Sequence, residues 1–408
     1  MQKEESYMII IPRKDQDFSL GTVMERIKQS DRIIYKASSD KGDYMDIVAE
    51  VDGRDVRFVI ENTDVELPPF IRKVHNFTEE EFEAMESAKR GLAMSMTYTD
   101  EPMKNYYEQL VIINVLLPGM LAVMDCPSEK VLLGDWVTMA AESKVYPSPS
   151  YIFTVQAVND KKTVWFHSHG LKRCGMPELE ILESDMDHMN EHYKVIETFA
   201  VRMLENGKAF EEGEAVYIGN LSDGDVLMCA MLNWRDALKY YPFAKMGGKH
   251  DRDDYHSVDT NVIMTFSNPK DEENKKYTKI QKYDKSIVNN PMFMISTSET
   301  NRMAMLARER VDYLKKIMAS EGGQALVKLG LVTAEEYRDR SEREHIWFEV
   351  LEIGENSITA KLTQEPYYIP GLHTGDVGKY GFDEITDWIA LYKEQRITPD
   401  NTYLINRS

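Results

Sequence analysis

The sequence predicts an α+β protein: a mixed-sheet N-terminal domain with packed helices, then a small C-terminal β-barrel-like module. Three observations carry this. Helical periodicity and short strands interleave as far as Gly207. Strand patterns separated by polar turns take over from Glu214. Four or five short strands then crowd between Ile346 and Trp388. The expected division is 1–207, an α+β domain; 208–290, a β-rich extension and polar linker; and 291–408, a helical lead-in with the C-terminal module.

Tyr7 to Ile11 is a short apolar strand closed by Pro12, and Leu20, Val23, Met24 and Ile27 mark one face of a helix over 19–29. Segments 44–51 and 55–60 alternate around Asp52-Gly53, a two-residue hairpin signal, and Pro68-Pro69 ends that unit. Thr78 and Glu81 make a capping box opening a helix that reaches Met96. A helix is expected over 101–117, a strand over 120–125 and a helix over 133–142. Tyr151 to Val158 reads as a strand, turned back at 159–161 into the β-branched and aromatic run Thr163-Val164-Trp165-Phe166. After a further apolar run over 177–182, Ser184 and Asp187 start a helix. Its stripe of Met186, Met189, Tyr193, Ile196, Ala200 and Met203 ends at Gly207.

Strands follow over 215–218, 226–233 and 261–266, the last two separated by the polar loop MGGKHDRDDYHS. Residues 270–290 are polar and read as the linker, where trypsin is expected to cut first. A long helix from Ser296 to Ala319 stops at Gly322-Gly323, and a short one is capped over 333–336. Strands 346–351 and 357–362 face each other, and Trp347, Phe348, Tyr367, Tyr368 and Trp388 supply the last module's core.

Composition narrows the function classes. The 408 residues are 42% hydrophobic and 29% charged, as in soluble globular proteins. A net charge of −20 argues against nucleic acid or an anionic membrane as partner, since both require a positive patch. Cys126, Cys174 and Cys229 are widely spaced with no CxxC, which fits a reducing cytoplasm. The longest apolar stretch, 111–124, is broken by Pro118-Gly119 and is too short to span a bilayer.

The segment WFHSHGLKRCGMPELEIL, within residues 1–290, resembles an uncharacterised bacterial family of unknown function. HIWFEVLEIG, KLTQEP, GLHTGD and DEITDWI resemble a second uncharacterised bacterial family of small modules. The resemblance implies a bacterial cytoplasmic protein and no particular activity. Some modules of this sort resemble immunity-type or partner-binding proteins.

The chemistry centres on His167 and His169, which leave one face of a strand together, a geometry a transition metal can use. TVWFHSHG resembles the metal-binding segment of zinc isopeptidases, with Ser184-x-x-Asp187 as the downstream pair. Gly170 stands where that family has proline, however, and Ser184 lies too far downstream. His188-Met189-Asn190-Glu191-His192 spells the His-x-x-Glu-His motif of inverted zinc peptidases. Against both stands the plain alternative that the strand pair caps a core edge and Ser184-x-x-Asp187 caps a helix. Cys174 lies beside Lys172 and Arg173, which would acidify its thiol; a thiol in a turn is more often inert. No GxxxxGK[ST] or GxGxxG occurs.

The expectation is a non-enzymatic cytoplasmic protein that binds another protein, through its C-terminal module, with no cofactor and no stoichiometric metal. The alternative is a zinc-dependent hydrolase. It would use His167 and His169 with Asp187, His188 or His192 from the following helix, and Glu191 as general base.

Overall fold

The computed structural model describes residues 3–222, 224–252, 256–288, 292–339 and 342–407. It divides into two compact units: residues 1–142 with 148–295, and residues 143–147 with 296–408.

The first unit holds two sheets. In one, β1 (Ser6–Ile11), β2 (Ile33–Asp40), β3 (Tyr44–Val51), β4 (Arg54–Asp64), β5 (Arg90–Met96), β6 (Ala122–Asp125) and β7 (Lys130–Leu133) lie in the order β2-β3-β4-β5-β1-β6-β7. All its pairings are antiparallel. The centre is apolar on both faces. Ile9, Ile11, Ala93 and Met124 share a core with Ile71, Phe82 and Met85 of α2 (Ile71–Val74) and α3 (Glu79–Ser87). Met8 and Ile10, of opposite parity, are also fully buried. Helices α1 (Leu20–Gln29), α4 (Pro102–Leu116) and α5 (Gly134–Glu142) complete the layer; α4 is buried almost all round, as a central helix must be.

The other sheet contains β8 (Thr154–Asn159), β9 (Thr163–His169), β10 (Glu178–Asp185), β11 (Val216–Asn220), β12 (Val226–Asn233), β13 (Thr260–Phe266), β14 (Tyr277–Thr278) and β15 (Met292–Phe293). Its order is β15-β11-β12-β13-β10-β9-β8, with β14 added to β13, and the β10–β13 pairing is parallel. Helix α6 (Met189–Asn206) covers one face, where Tyr193 meets Phe166 edge-on. On the opposite face Trp165 and Leu182 pack with Leu232, Trp234, Tyr241, Val262 and Met264. The expected boundary at 207 falls inside this sheet, because β10 bonds directly to β13. The stretch read as a linker folds onto it: α8 (Pro269–Glu273), β14 and α9 (Asp284–Ile287) follow one another, after α7 (Trp234–Ala237) earlier in the chain. A buried ion pair ties the turn between β9 and β10 to β6 of the first sheet: Arg173 donates to both oxygens of Asp125, 2.6 and 2.9 Å away.

The second unit packs α10 (Thr297–Glu309) and α11 (Val311–Met318) on one sheet. Its strands are β16 (Gln324–Val332), β17 (Arg343–Ile353), β18 (Ser357–Leu362), β19 (Val377–Gly381), β20 (Ile385–Tyr392) and β21 (Gln395–Ile397). The order β19-β18-β17-β16-β20-β21 is antiparallel throughout. This corrects the barrel-like expectation: β19 and β21 do not pair, and the sheet stays open. Its core gathers Phe348, Trp388, Leu329 and Ile346 under Leu314 and Ile317.

Two further expectations are corrected. The helix opened by Thr78 ends at Ser87, because residues 90–96 form the strand between β1 and β4, with all but the first buried. A mostly apolar run without period-two alternation, as in RGLAMSM, satisfies a strand covered on both faces as well as it satisfies a helix. The helix expected over 296–319 breaks at Arg310, whose φ of −103° and ψ of 17° leave the helical region.

Candidate functional site: three imidazoles on one sheet face

Residues Trp165, His167 and His169 alternate along β9 and share the face opposite α6. The third imidazole is His256, from the polar loop between β12 and β13. One ring nitrogen of each of the three lies within 4.8 Å of the others. Ring centroids are 4.9 Å apart for His167 and His169, and 4.8 Å apart for His167 and His256. The rings line a cavity of about 280 Å³ with Glu4, Cys126, Glu129, Lys172 and Arg252.

Local structure explains why the rings meet. Gly170 follows His169 with φ 112°, and a Cβ there would lie 2.6 Å from the carbonyl oxygen of Ile152, so the strand can leave the sheet only through glycine. The loop carrying His256 is held down by Arg252, which donates to both carboxylate oxygens of Glu180 and to the carbonyls of Ser257 and Gly247. The Arg252 guanidinium also lies over the rings of Trp165 and Trp234. Glu180 pairs across from His167 on β10, and it accepts from Trp165 Nε1 and Thr260 Oγ1 as well.

Glu129 approaches from the other sheet, in the turn between β6 and β7. Its Oε1 lies 3.2 Å from His169 Nδ1, and its Oε2 accepts from Gln156. Its backbone is left-handed, φ 54°, a conformation that a non-glycine residue adopts at a penalty of ~1–2 kcal/mol. The next residue, Lys130, anchors that turn by donating to the carbonyls of Ser150, Tyr151 and Phe153.

Burial is the main influence on the rings. It pushes the His167 pKa down to about 2, helped by the neighbouring His169, His256 and Arg252. It lowers that of His169 too, with Glu129 opposing. His167 is 3% exposed, and neither of its ring nitrogens has a hydrogen-bond partner among the described residues. A buried polar group in that state costs ~1–3 kcal/mol.

The other sequence candidates are not brought to this place. Asp187, His188, Glu191 and His192 follow the far end of β10, roughly 13 Å along the strand and across the sheet from the His167 side. There His188 Nδ1 lies 2.7 Å from Asp185 Oδ1 and 3.6 Å from Asp284 Oδ2, with the His188 pKa raised although burial opposes it. Asp187 is exposed. His192 bonds Ser184 Oγ through Nδ1 (2.7 Å) and Asp284 through Nε2 (3.1 Å). The letters are those of a catalytic triad, but Ser184 and His192 are fully buried, so no substrate reaches the hydroxyl. Burial pushes the Cys174 thiol up to about 12, and the adjacent Arg173 is paired with Asp125, which leaves the thiol inert near neutral pH. Sequence reasoning missed His256, Glu129 and Arg252. Each sits in a turn or loop far from the strand pair, and no fixed spacing connects them.

Fold and site together define an α+β protein of two units, the first bearing a three-histidine cluster. Residues 6–147 match the family described as protein of unknown function (DUF4026) N-terminal, and residues 152–264 match its C-terminal counterpart. Residues 294–402 match DUF2314, described as an uncharacterized protein conserved in bacteria. The chain belongs to the DUF4026 family and carries a DUF2314 module behind it. The three histidines lie in the C-terminal match and Glu129 in the N-terminal one. No curated protein and no solved structure matches the chain.

Proposed function

We propose that the first unit is a metal-dependent hydrolase, with His167, His169 and His256 as ligands of one divalent transition metal. The observation that carries this is His167, a buried imidazole whose two nitrogens have no partner among the described residues, beside two others. Three nitrogen donors suit zinc, and three protein ligands leave a coordination position for substrate. Bound there, the metal acidifies water and polarises a carbonyl or phosphoryl oxygen. The protein's own contribution is alignment. Glu129 fixes the His169 tautomer so that Nε2 faces the cavity, the arrangement found behind metal-ligating histidines generally. A third ligand from the following helix would need both a particular helix rotation and a particular strand register. A third ligand from a loop removes the first demand.

The test is metal content. Protein purified without chelator or nickel, then titrated calorimetrically with zinc, should bind one equivalent per chain, and a His167→Ala, His169→Ala double variant should bind none. Chelator should abolish hydrolysis of p-nitrophenyl acetate. The absence of stoichiometric binding by the wild-type chain would overturn the reading.

A second reading, protein–protein recognition, is supported by the open face of the second unit's sheet, where Leu326, Leu351 and Leu391 are exposed. A Leu326→Lys, Leu391→Lys variant that folds normally should lose whatever protein co-purifies with the wild-type chain. Undiminished retention would count against it.

A further inference from the structure

We infer that the three-histidine cavity receives a small oxyanion, a carboxylate or phosphate group held between the metal position and the Lys172 ammonium. This rests on the metal reading above. The wall of the cavity carries several charged side chains, and hydrogen bonding separates those already engaged from those that can turn to a ligand. Glu178 accepts from Ser168 Oγ and from the backbone N–H groups of Gly170 and Lys172. Glu180 and Arg252 pair with each other through two hydrogen bonds, and both are nearly fully buried. Glu129 is divided between His169 and Gln156.

Lys172 differs. Its backbone is fixed, since Glu178 accepts from its N–H while its carbonyl accepts from Glu4 and Gly175. Among the described residues its ammonium has a single ion-pair partner, Glu4, at 3.6 Å, and that carboxylate is 59% exposed. An exposed pair at such a distance contributes little and is readily exchanged. Lys172 is also close enough to His169 for its charge to help lower that ring's pKa. A divalent ion would bring two positive charges beside the Lys172 ammonium and the Glu129 carboxylate, while Glu178 and the Glu180–Arg252 pair are held by internal bonds. An anion entering the cavity would meet the metal position and the Lys172 ammonium directly, in a chain whose net charge is −20. A cavity of about 280 Å³ limits the ligand to a small molecule. Substrates of the site would therefore carry their negative charge close to the bond that is hydrolysed.

The full chain loaded with cobalt(II) reports both steps through its visible absorption. Inorganic phosphate and acetate, titrated separately, should each perturb the cobalt band, and whichever binds more tightly identifies the preferred oxyanion. Lys172→Met should weaken anion binding about tenfold, while Glu4→Gln, which removes the competing carboxylate, should tighten it. Both variants should still take up one equivalent of cobalt, and the opposite signs of their effects on the anion separate a ligand contact from a general loss of structure. If cobalt binds but neither anion perturbs the band, or if Lys172→Met leaves the anion affinity at the wild-type value, this inference is overturned and the metal site stands. If the wild-type chain takes up no cobalt, the metal reading fails and this inference falls with it.

Discussion

At the scale of single residues, the two histidine clusters of the first unit solve opposite problems. His188 sits between Asp185 and Asp284, so its proton serves as the local cation and its pKa is raised. His167 makes no hydrogen bond to an acid among the described residues, and burial, which disfavours its charged form, pushes its pKa down to about 2. The consequences for stability have opposite signs. For His188, the contribution is present below the unfolded pKa near 6.5 and is lost as pH rises through the higher folded value. For His167, the unfolded chain takes up a proton below about 6.5 that the folded chain refuses, so stability falls as pH drops from 6.5 towards 2. Urea titrations of metal-free protein between pH 7 and 4.5 should show this fall, and it should be shallower in His167→Gln. Identical slopes for the two proteins would assign the acid sensitivity to other groups.

At the scale of elements, the site depends on turns more than on the strand that announces it. Glu129 keeps a left-handed backbone in the β6–β7 turn, where glycine would sit without strain, and its carboxylate is the only reason apparent in the geometry for that residue type. Glu129→Gly should therefore leave thermal stability within about 1 kcal/mol of wild type, strain relief offsetting the lost contacts. Zinc affinity should fall about 10–100-fold. Unaltered affinity in competition with a chromophoric chelator would make Glu129 a neighbour rather than a positioning residue. The same distinction governs what could be read from sequence. Period-two alternation placed His167 and His169 on one face, and capping signals located the starts of α3 and α10. Long-range pairing was not legible. The centre of the first sheet at residues 90–96 looked like helix, and the central strand β16 of the second unit passed without a signal. The loop that carries His256 is pinned by Arg252 on Glu180, beside Trp165, an arrangement with no sequence period.

At the scale of the whole molecule, two units with separate cores imply two unfolding events, and the metal should act on only one. The second unit's core of Phe348, Trp388, Ile346 and Leu329 draws nothing from the histidine face. It recruits residues 143–147, where Ser143 Oγ donates to Glu309 Oε1 at 2.7 Å and the Lys144 N–H donates to Glu309 Oε2. A chain cut near Arg338 would leave β16 without its partners β17 and β20, whereas a chain ending at Ile295 removes the second unit's sheet and helices whole. A ligand that binds only the folded form stabilises it by about 2.7 kcal/mol at a hundred times its Kd. For a unit of this size that corresponds to a rise of roughly 4–5 °C in Tm. Calorimetry of the full chain should accordingly resolve two transitions, of which zinc raises one by that amount. The chain ending at Ile295 should retain the zinc-sensitive transition alone, because every ligand lies within residues 1–295. Equal displacement of both transitions by zinc would mean that the units unfold as one body, and a shift that survives His167→Ala, His169→Ala would place the metal elsewhere.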